Sequence, residues 1–221
     1  MLKPNRKITR KEIKRDPFLE TIDKLEFKFE QNKRTFFNVI LFIIAGIIGV
    51  NFLITKQSQN RIDANSALGI ALIAFDNGDY DNAKFQFESI ISEFSGTTAS
   101  NVANFYLGTI HFQNNDYLKS EEFLNVYIES KKPALIYVGA IKMLSHIAMQ
   151  RNDYSKAIEL IDNANKSMDN DHAVHLSLLK ARILKDKGDL DLARDILTEI
   201  TSQNNLPIKI RQESEELMGM F

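Results

Sequence analysis

Four times along this chain a Gly or Asn is followed by Asp, then by Tyr or Leu, and three positions later by a small residue. The copies are Gly78-Asp79-Tyr80-x-x-Ala83, Asn115-Asp116-Tyr117-x-x-Ser120, Asn152-Asp153-Tyr154-x-x-Ala157 and Gly188-Asp189-Leu190-x-x-Ala193, at steps of 37, 37 and 36 residues. An internal period of this length restricts the fold to stacked units, none of which can bury its apolar face alone. The tetrad also defines the unit. Gly or Asn tolerates the left-handed conformation that closes a helix, and Asp caps the start of the next one. Each copy therefore marks a tight link between two antiparallel helices, and the small residue lets that pair approach closely. From about residue 62 the apolar residues keep helical spacing.

These residues resemble the tetratricopeptide repeat, a helix pair of about 34 residues. The resemblance covers about residues 62–203. Registered on the family pattern, Leu107-Gly108 falls on the Leu-Gly pair of the first helix, and Ser145 and Ala181 take the same small position in later units. Two features depart from the pattern. The large aromatic near the start of each first helix is replaced by Ala67, Asn104, Ile141 and Ser177, and the proline near each unit's end is missing. The extra residues per unit are expected in the links, around Ser95-Gly96-Thr97-Thr98 and Lys131-Lys132-Pro133. A last helix, Pro207 to Met218, sets Ile210, Ser214 and Leu217 on one face and Glu213, Glu215 and Glu216 on others, as a solenoid's polar-backed cap would.

Ahead of the repeats, Thr35 to Thr55 is uncharged and nearly all apolar, TFFNVILFIIAGIIGVNFLIT. A helix of about 20 residues, rising about 1.5 Å per residue, crosses a hydrocarbon core of about 30 Å. The run has that length, and its two amides, Asn38 and Asn51, sit near its ends. It is longer than the apolar part of a cleaved signal and begins some 35 residues in, which points to an uncleaved signal anchor. Gly46 and Gly49 are three apart, so the four-residue spacing that pairs membrane helices is absent and the oligomeric state stays open.

Charge orients this anchor. Residues 1–34 carry eleven Lys or Arg against six acids, while only Lys56 and Arg61 follow closely on the other side. The N-terminus is expected to stay in the cytoplasm of a bacterium, with the larger part in the periplasm. The 17 bases and 23 acids left for residues 35–221 give a net charge of −6, which argues against nucleic-acid binding. Within the tail, Thr9 and Glu12 have capping-box spacing, and Asp16-Pro17 precedes a stripe of Phe18, Ile22, Leu25 and Phe29. This basic amphipathic helix could lie on the inner leaflet, dock on a membrane partner, or be a solvated tail that sets topology.

The whole chain then reads as all-α. A basic tail (1–34), a transmembrane helix (35–55) and a linker (56–61) lead into a solenoid of about four helix hairpins with a capping helix (62–221). Such a stack offers a concave surface lined by first helices. The family register would place there Leu68, Leu72 and Phe75, then Phe105 and Phe112, then His146 and Met149, and finally Arg182 and Lys185. An apolar groove with a basic end suits a peptide, because aromatics and Met adapt and the bases can take a carboxylate. The alternative for each residue is core packing. On the groove reading, Phe105→Glu or Phe112→Glu weakens binding and leaves stability nearly unchanged.

No chemistry stands out. The absence of cysteine removes thiolate catalysis and Cys-ligated zinc. His172 and His175, a turn apart beside Asp169 and Asp171, form a conceivable ligand set that a solvated helix start explains equally well. Nucleophile-elbow, zinc-protease, phosphate-loop and dinucleotide motifs are absent. The expectation is a binding protein, with neither enzyme activity nor cofactor. A basic tail, one anchor and a repeat domain beyond the membrane resemble the YfgM-type ancillary subunit of the bacterial Sec translocon. That resemblance implies translocon subunits beside the span, and periplasmic chaperones or emerging secreted chains in the groove. The tail here is longer than in that family. The competing expectation is a structural adaptor that assembles a cell-envelope or division complex around one folded partner.

Overall fold

The sequence signals at the repeat turns become backbone geometry in the computed structural model, which describes residues 22, 27, 30–130 and 134–221. Every element among them is helical: α1 (Lys33–Asp76), α2 (Tyr80–Glu93), α3 (Thr98–Gln113), α4 (Tyr117–Glu129), α5 (Ala134–Gln150), α6 (Tyr154–Asn165), α7 (Asn170–Lys187), α8 (Leu190–Thr201) and α9 (Ile208–Met218). The chain divides into two units, Met1–Ser58 and Gln59–Phe221.

In the first unit, Phe36 to Ile54 present their apolar side chains outward. This part of α1 is long and apolar enough to cross a membrane, with a mean hydropathy of 2.5 and no burial along its apolar stretch. Residues 56–61, read as a linker from the sequence, are helical within α1, and neither Gly nor Pro interrupts them. Of the amphipathic stripe in the tail, Ile22 is helical and exposed. Phe18, Leu25, Phe29, the Thr9–Glu12 pair and Asp16-Pro17 lie outside the described residues.

The second unit consists of helix hairpins. The end of α1 packs on α2, where Ala71, Ala74 and Phe75 share a core with Ala83 and Phe87; then α3 pairs with α4, α5 with α6 and α7 with α8, and α9 follows. At the four turns Gly78, Asn115, Asn152 and Gly188 have φ of 77°, 59°, 60° and 96°, the left-handed values that the motif implies. Asp79, Asp116 and Asp153 accept from the backbone N–H of Asn82, Lys119 and Lys156, capping α2, α4 and α6. The fourth copy departs from this. Asp189 makes no side-chain capping bond and pairs with Lys187 Nζ at 2.7 Å.

Close approach within each hairpin rests on small residues at fixed register. Ala71, Gly108, Ser145 and Ala181 are buried on the first helices, as are Ala83, Ser120, Ala157 and Ala193 on the second. Ser120 Oγ donates to the Gly108 carbonyl at 2.9 Å, and Ser145 Oγ reaches the Ala157 carbonyl at 3.5 Å. The aromatic missing at position 104 is replaced from nearby. Asn104 is buried and donates to the Ser100 carbonyl, while Tyr106 stacks on Phe87 at 5.4 Å and meets Phe75 edge-on at 5.0 Å. In α9 the buried residues are Ile210, Ser214 and Leu217, the stripe expected of a cap. Apolar residues from all four hairpins form the core.

Candidate binding site

The nine groove candidates separate into two sets. Leu68, Leu72 and Phe75 are half-buried against the core of the first hairpin, and Phe75 also meets Tyr80 and Phe87. Phe105 packs against the core between Tyr106 and Tyr127, at 5.3 and 5.5 Å, and beside Gly139 of α5. The expectation that Phe105→Glu spares stability is therefore corrected: a carboxylate there would lose this aromatic packing and gain no partner.

The other set gathers toward the C-terminal end. Phe112 meets His146 edge-on at 5.3 Å, and His146 in turn lies 3.2 Å from Gln150 Nε2. His146, Met149 and Arg182 line a cavity of about 370 Å³ bounded by α5, α7 and α9. Its floor is apolar, built from Met149, Leu178, Leu179 and Ile210. Its polar wall holds Lys142, His175, Arg182, Lys209 and Glu213. Lys185 lies outside this lining, with Nζ 3.5 Å from Met220 Sδ.

Local structure explains how these groups converge. Asp169 caps α7 by accepting from the His172 N–H at 3.0 Å, and its carboxylate lies 2.6 Å from His172 Nδ1. His172 thereby holds the Asp169 carboxyl below its usual range. Asp169 is thus used at the helix start, while His175, one turn on, faces the cavity. In α9 the buried stripe packs inward and leaves Lys209 and Glu213, four apart, toward α5 and α7.

The wall is electropositive. Arg182 is paired with Glu213 at 2.8 Å, a half-exposed bridge that joins α7 to α9 and contributes at most about 1 kcal/mol. Lys142 and Lys209 form no ion pair among the described residues. The field is visible at His175. Burial pushes its pKa down first, Lys142 and His172 push it further, Lys209 adds a smaller push, and Glu213 opposes them. Two cations without a carboxylate partner, set over an apolar floor, can hold an anionic group attached to an apolar one.

A second cavity, of about 520 Å³, lies among α4, α5 and α6 beside the bridge between Arg151 and Glu121 at 2.7 Å. Its charges are balanced, with Lys156 and Arg151 against Glu121 and Asp153. None of the sequence-derived candidates lines it.

The sequence pattern of the family described as a tetratricopeptide repeat-like domain matches residues 28–195. The chain belongs to this family. Tetratricopeptide repeat-like domains mediate protein–protein interactions, so the second unit is an interaction module. Comparison with the curated proteins gives no match. The matched residues take in the apolar run as well as the first three hairpins, and they stop within α8. Lys209, Ile210 and Glu213 therefore lie beyond the match, and α9 completes a cavity that the repeat-like pattern alone does not contain.

Reasoning from sequence missed Lys142, His175, Leu178, Leu179, Lys209, Ile210 and Glu213 as cavity residues. For two of them the signal was present: Lys142 and Leu178 occupy the same register as Leu68 and Phe105 in the later repeats. Nothing local in α9 says which helices it meets.

Proposed function

We propose that this protein is a membrane-anchored docking module whose α5–α7–α9 cavity holds a short polypeptide segment by an apolar side chain and a carboxylate. The observation that carries this reading is the pairing of Lys142 and Lys209, free of carboxylate partners among the described residues, with the floor of Met149, Leu178 and Ile210. A volume of about 370 Å³ suits a few residues of extended chain rather than a folded domain. The apolar run of α1 supports anchoring, and the excess of Lys and Arg before it supports a cytoplasmic tail with the repeats in the periplasm of a bacterium.

Binding to short apolar stretches through an open, preformed cavity is weak and quickly reversible, because little surface is buried and the cost of association is only just met. That property fits an ancillary role beside a translocon or within a periplasmic chaperone network, the function implied by the architectural resemblance. The test is site-specific photocrosslinking in native membranes, with the reactive residue placed in turn at Ile47 and at Met149, followed by mass spectrometry of the adducts. Translocon subunits at Ile47 together with many secreted chains at Met149 would support the reading. One dominant envelope protein at both positions would overturn it in favour of a structural adaptor.

A further inference from the structure

The charges lining the α5–α7–α9 cavity are unevenly divided. Lys142, Arg182, Lys209 and the imidazoles of His146 and His175 stand against one carboxylate, that of Glu213. Two cations border Glu213 most directly. Lys209 precedes it by four residues, about one turn back on the same face of α9, and Arg182 stands on the neighbouring helix α7. The carboxylate takes Arg182, with Oε2 accepting from Nη2 at 2.8 Å, and leaves Lys142 and Lys209 without an ion pair among the described residues. Arg182 is the stronger carboxylate partner of the three, because a planar guanidinium offers two parallel N–H bonds where an ammonium offers a point charge. The best anion-binding group of the cavity is thus occupied by a side chain of the protein itself.

The helix that carries Glu213 is firmly seated. Ile210, Ser214 and Leu217 around it are buried, Ser214 Oγ donates to the Ile210 carbonyl at 2.7 Å, and Arg211 donates to the carbonyls of Thr201 and Gln203 at 3.3 and 3.0 Å. With α9 held on α7 and α8, the bridge opens only by rotation of its two side chains. It is half exposed and adds little to stability, so its main consequence is for what the cavity accepts. A carboxylate fixed beside Arg182 acts at an effective concentration on the order of millimolar or more, which a dilute peptide does not match. Arg182 lies inside the part of the chain that matches the repeat-like pattern, and Glu213 lies beyond it. The helix added after the repeats therefore brings the group that masks a cation of the repeats.

We propose, on the basis of the docking reading above, that Glu213 is a specificity-determining residue. By holding Arg182 it leaves the cavity a single anion site, at Lys142 and Lys209, and so restricts the ligand to a segment that ends in one carboxylate on an apolar residue. Segments whose terminal residue is itself acidic are excluded. A terminal Leu sets its side chain on the floor of Met149, Leu178, Leu179 and Ile210 while its carboxylate meets the lysines. A terminal Glu brings a second carboxylate, which meets the like charge of Glu213, finds Arg182 engaged and is left over the apolar floor without a partner. Selection then comes from rejecting the second charge rather than from a better fit to the first.

Full-length protein in lipid nanodiscs is titrated, by fluorescence anisotropy, with labelled peptides that differ only in a terminal Leu or Glu, both as free acids, and with the Leu amide. The parent protein should bind the Leu acid about tenfold more tightly than the Glu acid. Glu213→Gln, which keeps the size of the side chain, should narrow that ratio by about tenfold, because the freed Arg182 takes the second carboxylate. With Arg182→Gln already in place, the same Glu213→Gln change should move the ratio by less than about threefold, the residue of a screened field. Circular dichroism and thermal unfolding verify that each variant keeps the parent's fold. A ratio that Glu213→Gln leaves unmoved would overturn the proposal. So would an equal gain with and without Arg182, since Glu213 would then act only through its general field. Loss of the parent's preference for the Leu acid over the Leu amide is a separate failure, that of the docking reading itself.

Discussion

Gly108→Ala should destabilise the repeat unit, although alanine is the better helix former. A Cβ at position 108 would stand 2.7 Å from Leu124 Cγ, 2.8 Å from its Cδ2 and 3.4 Å from its backbone nitrogen. Leu124 is fully buried in the core that joins the second and third hairpins, so it cannot swing into solvent. Either its rotamer changes or α3 and α4 separate, which stretches the 2.9 Å bond from Ser120 Oγ to the Gly108 carbonyl. Overpacking of this kind costs about 1–3 kcal/mol, against about 1 kcal/mol regained from helix propensity. The net expectation is a loss of up to about 2 kcal/mol, read as a lower urea midpoint. A double-mutant cycle locates the cause: Leu124→Ala is costly alone, yet with it in place Gly108→Ala should be neutral or stabilising. A Gly108→Ala effect that is the same with and without Leu124→Ala would refute this packing argument.

Other expectations are briefer. Asp153→Ala should cost about 1 kcal/mol by denaturation, because it removes a 2.9 Å cap, whereas Asp189→Ala should cost clearly less. Phe105→Glu should lower thermal stability, and Lys142→Gln should leave it within about 0.5 kcal/mol. His175 has a folded-state pKa below its ordinary 6.5, so the folded protein binds fewer protons than the unfolded chain. Its contribution is therefore fully present above about pH 6.5 and lost as pH falls. His175→Leu should flatten the stability profile below about pH 6.5. A bound carboxylate would oppose the field of Lys142 and Lys209, so nuclear magnetic resonance should show the His175 pKa rising on peptide binding.

What the sequence made legible was whatever a few neighbouring residues determine. The Asn115 and Asn152 turns, the caps of Asp79, Asp116 and Asp153, and the Ile210–Ser214–Leu217 stripe are all local, and they appear where the pattern put them. The site was legible only in part. His146, Met149 and Arg182 do come together, but the cavity also depends on α9 packing on α7 and so facing α5 across it, and Lys142 and Lys209 are 67 residues apart. No spacing rule reaches that far. Treating each first helix as one face toward a groove also overlooked that the first two hairpins fill this register with core residues, Phe75 among its aromatic neighbours and Phe105 against Tyr127.

Binding of paired peptides tests the central claim most directly. Full-length protein in lipid nanodiscs would be titrated, by fluorescence anisotropy, with a short labelled peptide ending in leucine, either as the free acid or as the amide. The account predicts that the acid binds about tenfold more tightly, a difference of about 1.4 kcal/mol, and that Lys142→Gln with Lys209→Gln abolishes the preference. Equal binding of acid and amide, or a preference that survives loss of both lysines, would contradict it.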